Sequence, residues 1–379
     1  MSDASYDVVV IGGGVIGLAS AWRLQQRGLR VAVVDPAPAR AASHAAAGML
    51  APVTEVRYGE EPLLALGLES LRRYPAFVDE LETATGHAIG LRTDGTLLVA
   101  TDAGDRAMLA ELHDFQNALG LDATMLTSRE ARTLEPGVSP EIRCGLLAAS
   151  DHSINNRRLN GALLAVLGSA VVVERVVAVD VVDGAVRDLR LGNGASLATP
   201  QVVVAAGPWS STIDGVPDAI RPPVRPVKGE ILRLRTRGDV ELPTRSLRGF
   251  VNGHEIYLVP RSDGELVVGA TVDDQGFDTT VRAGAVRELL RDARAIYPSI
   301  DELELVESLA ALRPGSPDNR PMIGPTDIDG LIMATGHFRN GVLLAPVTAD
   351  LVADLVTSGD ADSELLRLAA PQRFAVTRT

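Results

Sequence analysis

The sequence predicts an α/β chain (α+β in its second domain). A Rossmann-like domain carrying a β-meander is joined to a second domain built on an antiparallel sheet. Three observations predict it. Val8-Val9-Val10-Ile11 runs directly into Gly12-Gly13-Gly14-Val15-Ile16-Gly17, and Asp35 closes the next apolar run, Val31 to Val34. Between Val176 and Ala206, short apolar strands alternate with the turn pairs Asp183-Gly184 and Asn193-Gly194. Residues 223 to 312 then read as a second sheet. A chain of 379 residues is too long for one small core and suggests two closely joined domains.

The first unit, residues 6 to 35, reads as strand, glycine turn, helix and strand. Gly12 allows the tight turn, Gly14 lets a pyrophosphate lie on bare backbone, and Gly17 lets the helix approach the strand. Ala19, Ala21 and Leu24 share one face of that helix. The free N–H groups and positive dipole end around Val15 and Ile16 suit phosphates. Asp35 stands where a carboxylate accepts hydrogen bonds from a ribose diol and repels a 2′-phosphate. The unit reads as an adenine-dinucleotide cradle, and its glycines alone do not separate FAD from NAD.

A small-residue loop, Ala41 to Met49, comes next, then a helical stretch with Leu63, Leu64, Leu66, Leu68, Leu71 and Phe77 on its apolar face. Strand-like Gly95 to Ala100, a helix around Arg106 to Leu119 and an amphipathic helix Asn155 to Leu167 lead to the strand Val171 to Val173. Both turn pairs of the meander are expected to place both residues at φ > 0. The meander ends in Val202 to Gly207, a buried strand that suits a return to the first sheet. Second-sheet strands are expected at Glu230 to Leu234, Glu255 to Val259, Glu265 to Gly269 and Leu303 to Leu312. Asp263-Gly264 is one tight turn, and a helix from Ala283 to Ala295 covers a face. The tail gives a strand, Leu331 to Ala334, and a helix near Pro346, whose missing N–H suits a first turn. The cofactor domain is thus expected in pieces, 1–84, 144–220 and 310–379, with 85–143 and 221–309 forming the substrate-binding domain.

Hydrophobic residues make up 46% of the chain, yet no run reaches membrane-spanning length, which predicts a soluble protein. The start, with Asp3 and Asp7, lacks the basic and apolar regions of a signal peptide. Cys144 is the one cysteine, so no intramolecular disulfide forms and a reducing cytoplasm is expected. Beside Gly145-Leu146-Leu147 it reads as a small apolar filler, with a reactive thiol as the alternative. A net charge of −13 argues against nucleic acid or an anionic membrane as partner. The six histidines are scattered singly, without metal-ligand spacing. Lys228 is the only lysine, either through codon composition or because an ammonium is needed there.

Four further segments carry a family resemblance. Ser43-His44-Ala45-Ala46-Ala47-Gly48-Met49-Leu50 follows the ribose-binding acid, and Val204-Ala205-Ala206-Gly207-Pro208-Trp209-Ser210 ends the meander. Leu312-Arg313-Pro314-Gly315-Ser316-Pro317-Asp318 leads to Arg320-Pro321-Met322-Ile323-Gly324, and Gly336-His337-Phe338-Arg339-Asn340-Gly341 precedes Leu343-Leu344-Ala345-Pro346. In this order, over essentially the whole chain, they resemble the D-amino-acid-oxidase-like flavoproteins, most closely the glycine oxidase branch of the thiamine pathway. The resemblance implies FAD rather than a nicotinamide. It assigns Pro36, Ala42, Ser43, Ala47, Gly48 and Met49 to the cofactor site, where a bulky side chain would block the backbone's approach. Val176 matches an adenine contact made through its backbone. Flavin fingerprints often carry Glu where this chain has Asp35, a departure that bears on adenosine affinity alone. The loop His337, Phe338, Arg339, Asn340, Gly341, Val342 and Leu343 is expected to feed a helix whose N-terminus faces the flavin. Its dipole would stabilise negative charge at N1 and O2 of the reduced flavin.

The resemblance also implies a small amino-acid substrate and molecular oxygen. Arg313 resembles the family's carboxylate-binding arginine, able to grip both oxygens; the alternative is a salt bridge to Asp318 or Glu307. Tyr257 matches a tyrosine whose hydroxyl binds the same carboxylate, although by itself it reads as a half-buried sheet tyrosine. Arg339 matches a second substrate-facing arginine, with holding the loop's shape as its competing role. The expected reaction is oxidative deamination of glycine, and of sarcosine or small D-amino acids. The neutral amine's lone pair drives hydride from Cα to flavin N5, giving an imine, then glyoxylate and ammonia, with hydrogen peroxide from oxygen. No general base is obvious near these motifs. Lys228, if it lies near N5, would assist the oxygen reaction. The alternatives are a D-amino-acid or sarcosine oxidase, or a quinone-linked D-amino-acid dehydrogenase of the same fold. A homotetramer and a link to a thiazole synthase are implied as well.

Overall fold

The computed structural model describes residues 6–238, 240–359, 361 and 363–374. Val8–Ile11, four buried β-branched residues, lies inside a six-stranded sheet. Val31–Val34 and Val202–Val204 flank it in parallel, and Val171–Val172 and Leu331–Thr335 extend the parallel set. Met322–Pro325 closes one edge antiparallel. Both faces of this sheet are covered, which is why its strands read as unbroken apolar runs. Val8 and Val10 face a core shared with the helices Val15–Gln26, Glu61–Thr85, Asn156–Leu167 and Ala345–Ser358. Val9 and Ile11 face the meander, whose strands are Val176–Val182, Ala185–Leu191 and Ser196–Ala198.

At the first meander turn Asp183 and Gly184 both take positive φ, 53° and 79°. The second turn departs from expectation, because only Gly194 does so (84°). Asn193 instead accepts the Ala195 N–H on its side-chain oxygen at 2.9 Å, and this local bond turns the chain.

The second layer is an eight-stranded sheet. Its order is Glu304–Gly315, Arg225–Arg235, Glu265–Gly269, His254–Pro260, Ser246–Val251, Thr96–Ala100, Cys144–Ala148 and Thr124–Thr127. Two expected boundaries therefore cut through it. Cys144–Ala148 pairs with Thr96–Ala100, and Glu304–Gly315 continues past residue 310. A short apolar run such as Cys144–Ala148 carries no mark of which sheet it joins. Ser246–Val251 has no counterpart in the expectation, since Arg248 and Gly249 interrupt its apolar pattern.

One face of this sheet packs Leu232, Leu234, Leu258 and Val268 against Leu289, Ala293 and Ile296 of the helix Ala283–Ile296. The opposite face brings Ile231, Val259, Val267 and Tyr257 against Ala45, Ala47 and Met49 of the first layer. Cross-strand register decides which side chains reach that contact. Val227 lies opposite Arg313 and Gly229 opposite Ala311, so Arg313 faces the contact between layers, whereas Lys228 and Glu230 face away. Among the described residues no helix is long and apolar enough to cross a membrane.

Candidate active site

The contact between layers encloses a cleft whose floor is the glycine turn. Gly12 has φ 107°, and a Cβ there would run into the Ala205 carbonyl; one at Gly17 would strike the carbonyl of Gly12. Gly14 caps the helix Val15–Gln26 in extended geometry with no side-chain acceptor of its own. The Val15 N–H instead donates to Ser43 Oγ at 2.9 Å. Asp35 accepts the Gly13 N–H at 2.6 Å and the Ala37 N–H at 2.7 Å, so it fixes the turn while lining the cleft. Each oxygen keeps a lone pair for a ribose hydroxyl. A backbone floor that any Cβ would fill, at a helix N-terminus, fits a dinucleotide pyrophosphate.

Gly14, Val15, Ile16 and Asp35 line one end of the cleft, Ala42, Ser43, Ala47, Gly48 and Met49 a wall, and His337, Phe338, Arg339, Gly341 and Val342 the far side. Gly12 and Gly17 support it from beneath. Pro36, Val176, Asn340 and Leu343 lie outside its lining. The carbonyls of Val342 and Leu343 are taken by Tyr74 Oη and Ser70 Oγ, each at 2.6 Å, which ties the loop to the helix Glu61–Thr85. His337 is buried, with Nε2 3.0 Å from Thr348 Oγ1, and burial lowers its ring to about 3.

The wall 43–48 is held by side chains that carry no motif. Asn156 Nδ2 donates to the Ser43 carbonyl at 2.7 Å, and Arg233 Nη2 to that of His44 at 3.2 Å. Arg261, buried, donates to the carbonyls of Ala47 and Ile154. Gly48 (φ 71°) lies so close that a Cβ would strike the Ile154 carbonyl.

A second cavity, of about 910 Å³, opens beside the cleft. Glu55, Tyr257, Arg313, Phe338 and Arg339 line both spaces and mark where they meet. Arg313 Nη1 donates to the carbonyls of Thr271 (3.0 Å) and Lys228 (3.4 Å), and its guanidinium lies over Gly229. It makes no ion pair among the described residues. The suggested partners are engaged elsewhere: Asp318 with Arg320 (2.7 Å) and Arg373 (2.9 Å), Glu307 with Arg157 (2.6 Å). Burial raises the Tyr257 hydroxyl above its ordinary range, and Arg313, in hydrogen-bonding contact with it, pulls it back.

Arg339 faces both spaces, but its guanidinium pairs with Glu60 and reaches the Glu55 carbonyl at 3.4 Å, so it also shapes the turn 55–60. Lys228 does not face the cleft. It is buried on the opposite side of the sheet, 2.6 Å from Asp278 and 3.6 Å from Glu230, where the ammonium offsets buried negative charge. Cys144 is buried beside Leu98 and Leu146, and burial raises its thiol, so it fills space.

Three further residues, two lining the junction and one supporting it from behind, carry no sequence signal. Arg248 stands opposite Tyr257 in register and pairs with Glu55 (3.1 Å) and Glu255 (3.0 Å). Asp151 is fully buried and accepts the N–H groups of Val53 and Thr54, each at 3.1 Å, and the Thr54 hydroxyl at 2.7 Å. Burial raises its carboxyl to about 7. It braces the turn that presents Glu55.

Comparison with known proteins agrees with this construction. Residues 7–355 match the family model described as FAD dependent oxidoreductase, DAO. The glycine oxidase of Geobacillus kaustophilus is 34% identical over 98% of this chain and 97% of its own length. The bifunctional protein ThiO/ThiG of Synechocystis sp. is also 34% identical over 98% of this chain, which spans about half (54%) of that relative. The crystal structure of the Geobacillus kaustophilus glycine oxidase superposes with a TM-score of 0.87 at 32% identity, covering 99% of both chains. By the match over residues 7–355 and the near full-length similarity to a glycine oxidase, the chain belongs to the DAO family of FAD-dependent oxidoreductases.

Proposed function

We propose that the protein oxidises small amino acids at the α-carbon, glycine first and sarcosine or small D-amino acids beside it. The observation that carries this reading is Arg313, a guanidinium without a carboxylate partner among the described residues, beside the Tyr257 hydroxyl where the two spaces meet. An α-amino acid supplies the missing charge. A two-point grip on its carboxylate fixes which way the Cα–H bond points, and such alignment is worth several orders of magnitude in rate. FAD, when bound, would supply the hydride acceptor, and its reoxidation by oxygen would account for hydrogen peroxide. The chain's own part is to hold the carboxylate and turn Cα toward the cleft. The resulting imine hydrolyses to an oxo acid and ammonia. The cavity of about 910 Å³ has room for an N-methyl group or a side chain, which supports sarcosine and D-amino acids as further substrates.

The fused architecture of the ThiO/ThiG relatives supports a thiamine-pathway role, with the product passing to a thiazole synthase. The family resemblance supports a homotetramer, and the lone buried cysteine suits the cytoplasm. Anaerobic mixing of the FAD-loaded protein with glycine, sarcosine, D-alanine and D-proline tests the reading. Bleaching of the flavin, followed by stoichiometric peroxide on admitting air, is the expected result. Bleaching without peroxide would make the protein a dehydrogenase, and no bleaching with any of the four would remove the reading.

A further inference from the structure

We propose that Glu55 receives the ammonium group of the substrate, so that the site selects a zwitterion rather than any small carboxylate. The inference rests on Arg313 holding the substrate carboxylate. The ammonium bound in this way gives one proton to Glu55 or water before the Cα–H bond breaks, because hydride departure needs the nitrogen lone pair. Five residues line both the cleft and the outer cavity, and among them Glu55 is the only acid. Its neighbours form a row of alternating charge: Arg57 to Glu255 at 2.9 Å, Glu255 to Arg248 at 3.0 Å, Arg248 to Glu55 at 3.1 Å. The row ends at Glu55, where the next complementary group is a cation. Arg248 takes one side of this carboxylate, and its remaining lone pairs are available to the N–H donors of an ammonium.

Geometry supports the pairing. Arg248 lies directly across from Tyr257, and Glu255 is two residues before it on the same strand face. The charged row therefore shares a face with the tyrosine next to Arg313. Glu55 is near enough to Tyr257 that, after burial itself, its charge adds to the rise of that hydroxyl. The Glu55 backbone is fixed as well. Its N–H donates to the Ala51 carbonyl at 3.0 Å, Arg339 reaches its carbonyl, and Asp151 holds the two preceding N–H groups. A carboxylate on a turn braced from three sides is preorganised for one ligand geometry. Arg313 and Glu55 then present opposite charges to one small molecule, matching the two ends of an amino acid. A carboxylate lacking the cation meets Glu55 as a repulsive charge, which is how such a site rejects it.

The test compares two ligands of the same shape that cannot be turned over, betaine and its isostere 3,3-dimethylbutanoate, in which a neutral carbon replaces the cationic nitrogen. Dissociation constants for the FAD-loaded protein are read from perturbation of the flavin absorbance, in the wild type, Glu55→Gln and Glu55→Asp. The wild type is expected to favour betaine by about tenfold or more, the usual scale for a partly buried charge partner. Glu55→Asp keeps a preference, and Glu55→Gln brings the two constants within about twofold while retaining flavin. Equal affinities in the wild type, or a preference that survives in Glu55→Gln, overturn the proposal and leave the Arg313 reading intact. Failure of both ligands to bind the wild type overturns the Arg313 reading and this proposal together.

Discussion

The floor of the cofactor cleft and the mouth beside it border one continuous space, yet they are made of different materials. The floor is backbone. Gly12, Gly14 and Gly17 fall within one strand-turn-helix unit, and their role is to have no side chain where the Ala205 carbonyl, the Ser43 hydroxyl and the Gly12 carbonyl respectively approach. The mouth is side chains. Glu55, Arg248, Tyr257, Arg313 and Arg339 come from five separate segments and meet because two sheets face each other. The floor should tolerate changes of chemistry but not of volume, and the mouth the reverse.

The sharpest test of that separation is Arg313→Met, which keeps much of the volume and removes the charge. Losing one partner of a charge-assisted grip costs roughly a thousandfold, so kcat/KM for glycine should fall by about that factor. Flavin content and the affinity for FAD should stay as in the wild type, measured by equilibrium dialysis. A variant that sheds its flavin would show that floor and mouth are one cooperative unit.

Gly48→Ala probes the other material. The residue has φ 71° and its Cβ would meet the Ile154 carbonyl, which Arg261 already holds. Strain of a few kcal/mol at such a position lowers FAD affinity on the order of a hundredfold. Protein reconstituted at saturating FAD should recover its KM for glycine, because no mouth residue has changed. A raised KM at full loading would mean that the wall also shapes the mouth.

The same contrast explains what could be read from the chain. The glycine turn, Asp35 and the parallel strands follow from local spacing, because neighbours in sequence are neighbours in space. Tyr257, Arg313 and Arg339 were identifiable only through the family resemblance, since a strand tyrosine, an arginine near a strand end and a loop arginine look ordinary without their partners. Glu55, Arg248 and Asp151 gave no signal. Glu55 sits 193 positions from Arg248, and nothing in either segment encodes their 3.1 Å approach. Lys228 shows the limit from the other side. Its rarity marked it as special, but strand alternation, which places Arg313 on the cleft face, puts Lys228 on the opposite one. Arg261 and Asn156 escaped notice because they act on backbone carbonyls, a role with no characteristic neighbours.

His337 lines the far side of the cofactor cleft, and it gives the smallest expected effect. Its buried ring, bonded only to the Thr348 hydroxyl among the described residues, stays neutral in the fold down to about pH 3. In the unfolded chain it takes a proton near pH 6.5. Between those values the unfolded state binds the extra proton, so the stabilisation is present above about pH 6.5 and is lost as the pH falls toward 3. From pH 7 to 5 the loss is about 2 kcal/mol from this residue. His337→Gln lowers stability at pH 7 but removes that slope, so the Tm difference between the two proteins should narrow as the pH drops. Thermal melts of the FAD-loaded forms at pH 7, 6 and 5 read this directly. Parallel Tm curves would mean that the ring gains a proton within the fold, and that the loop beside the cleft opens to water without global unfolding.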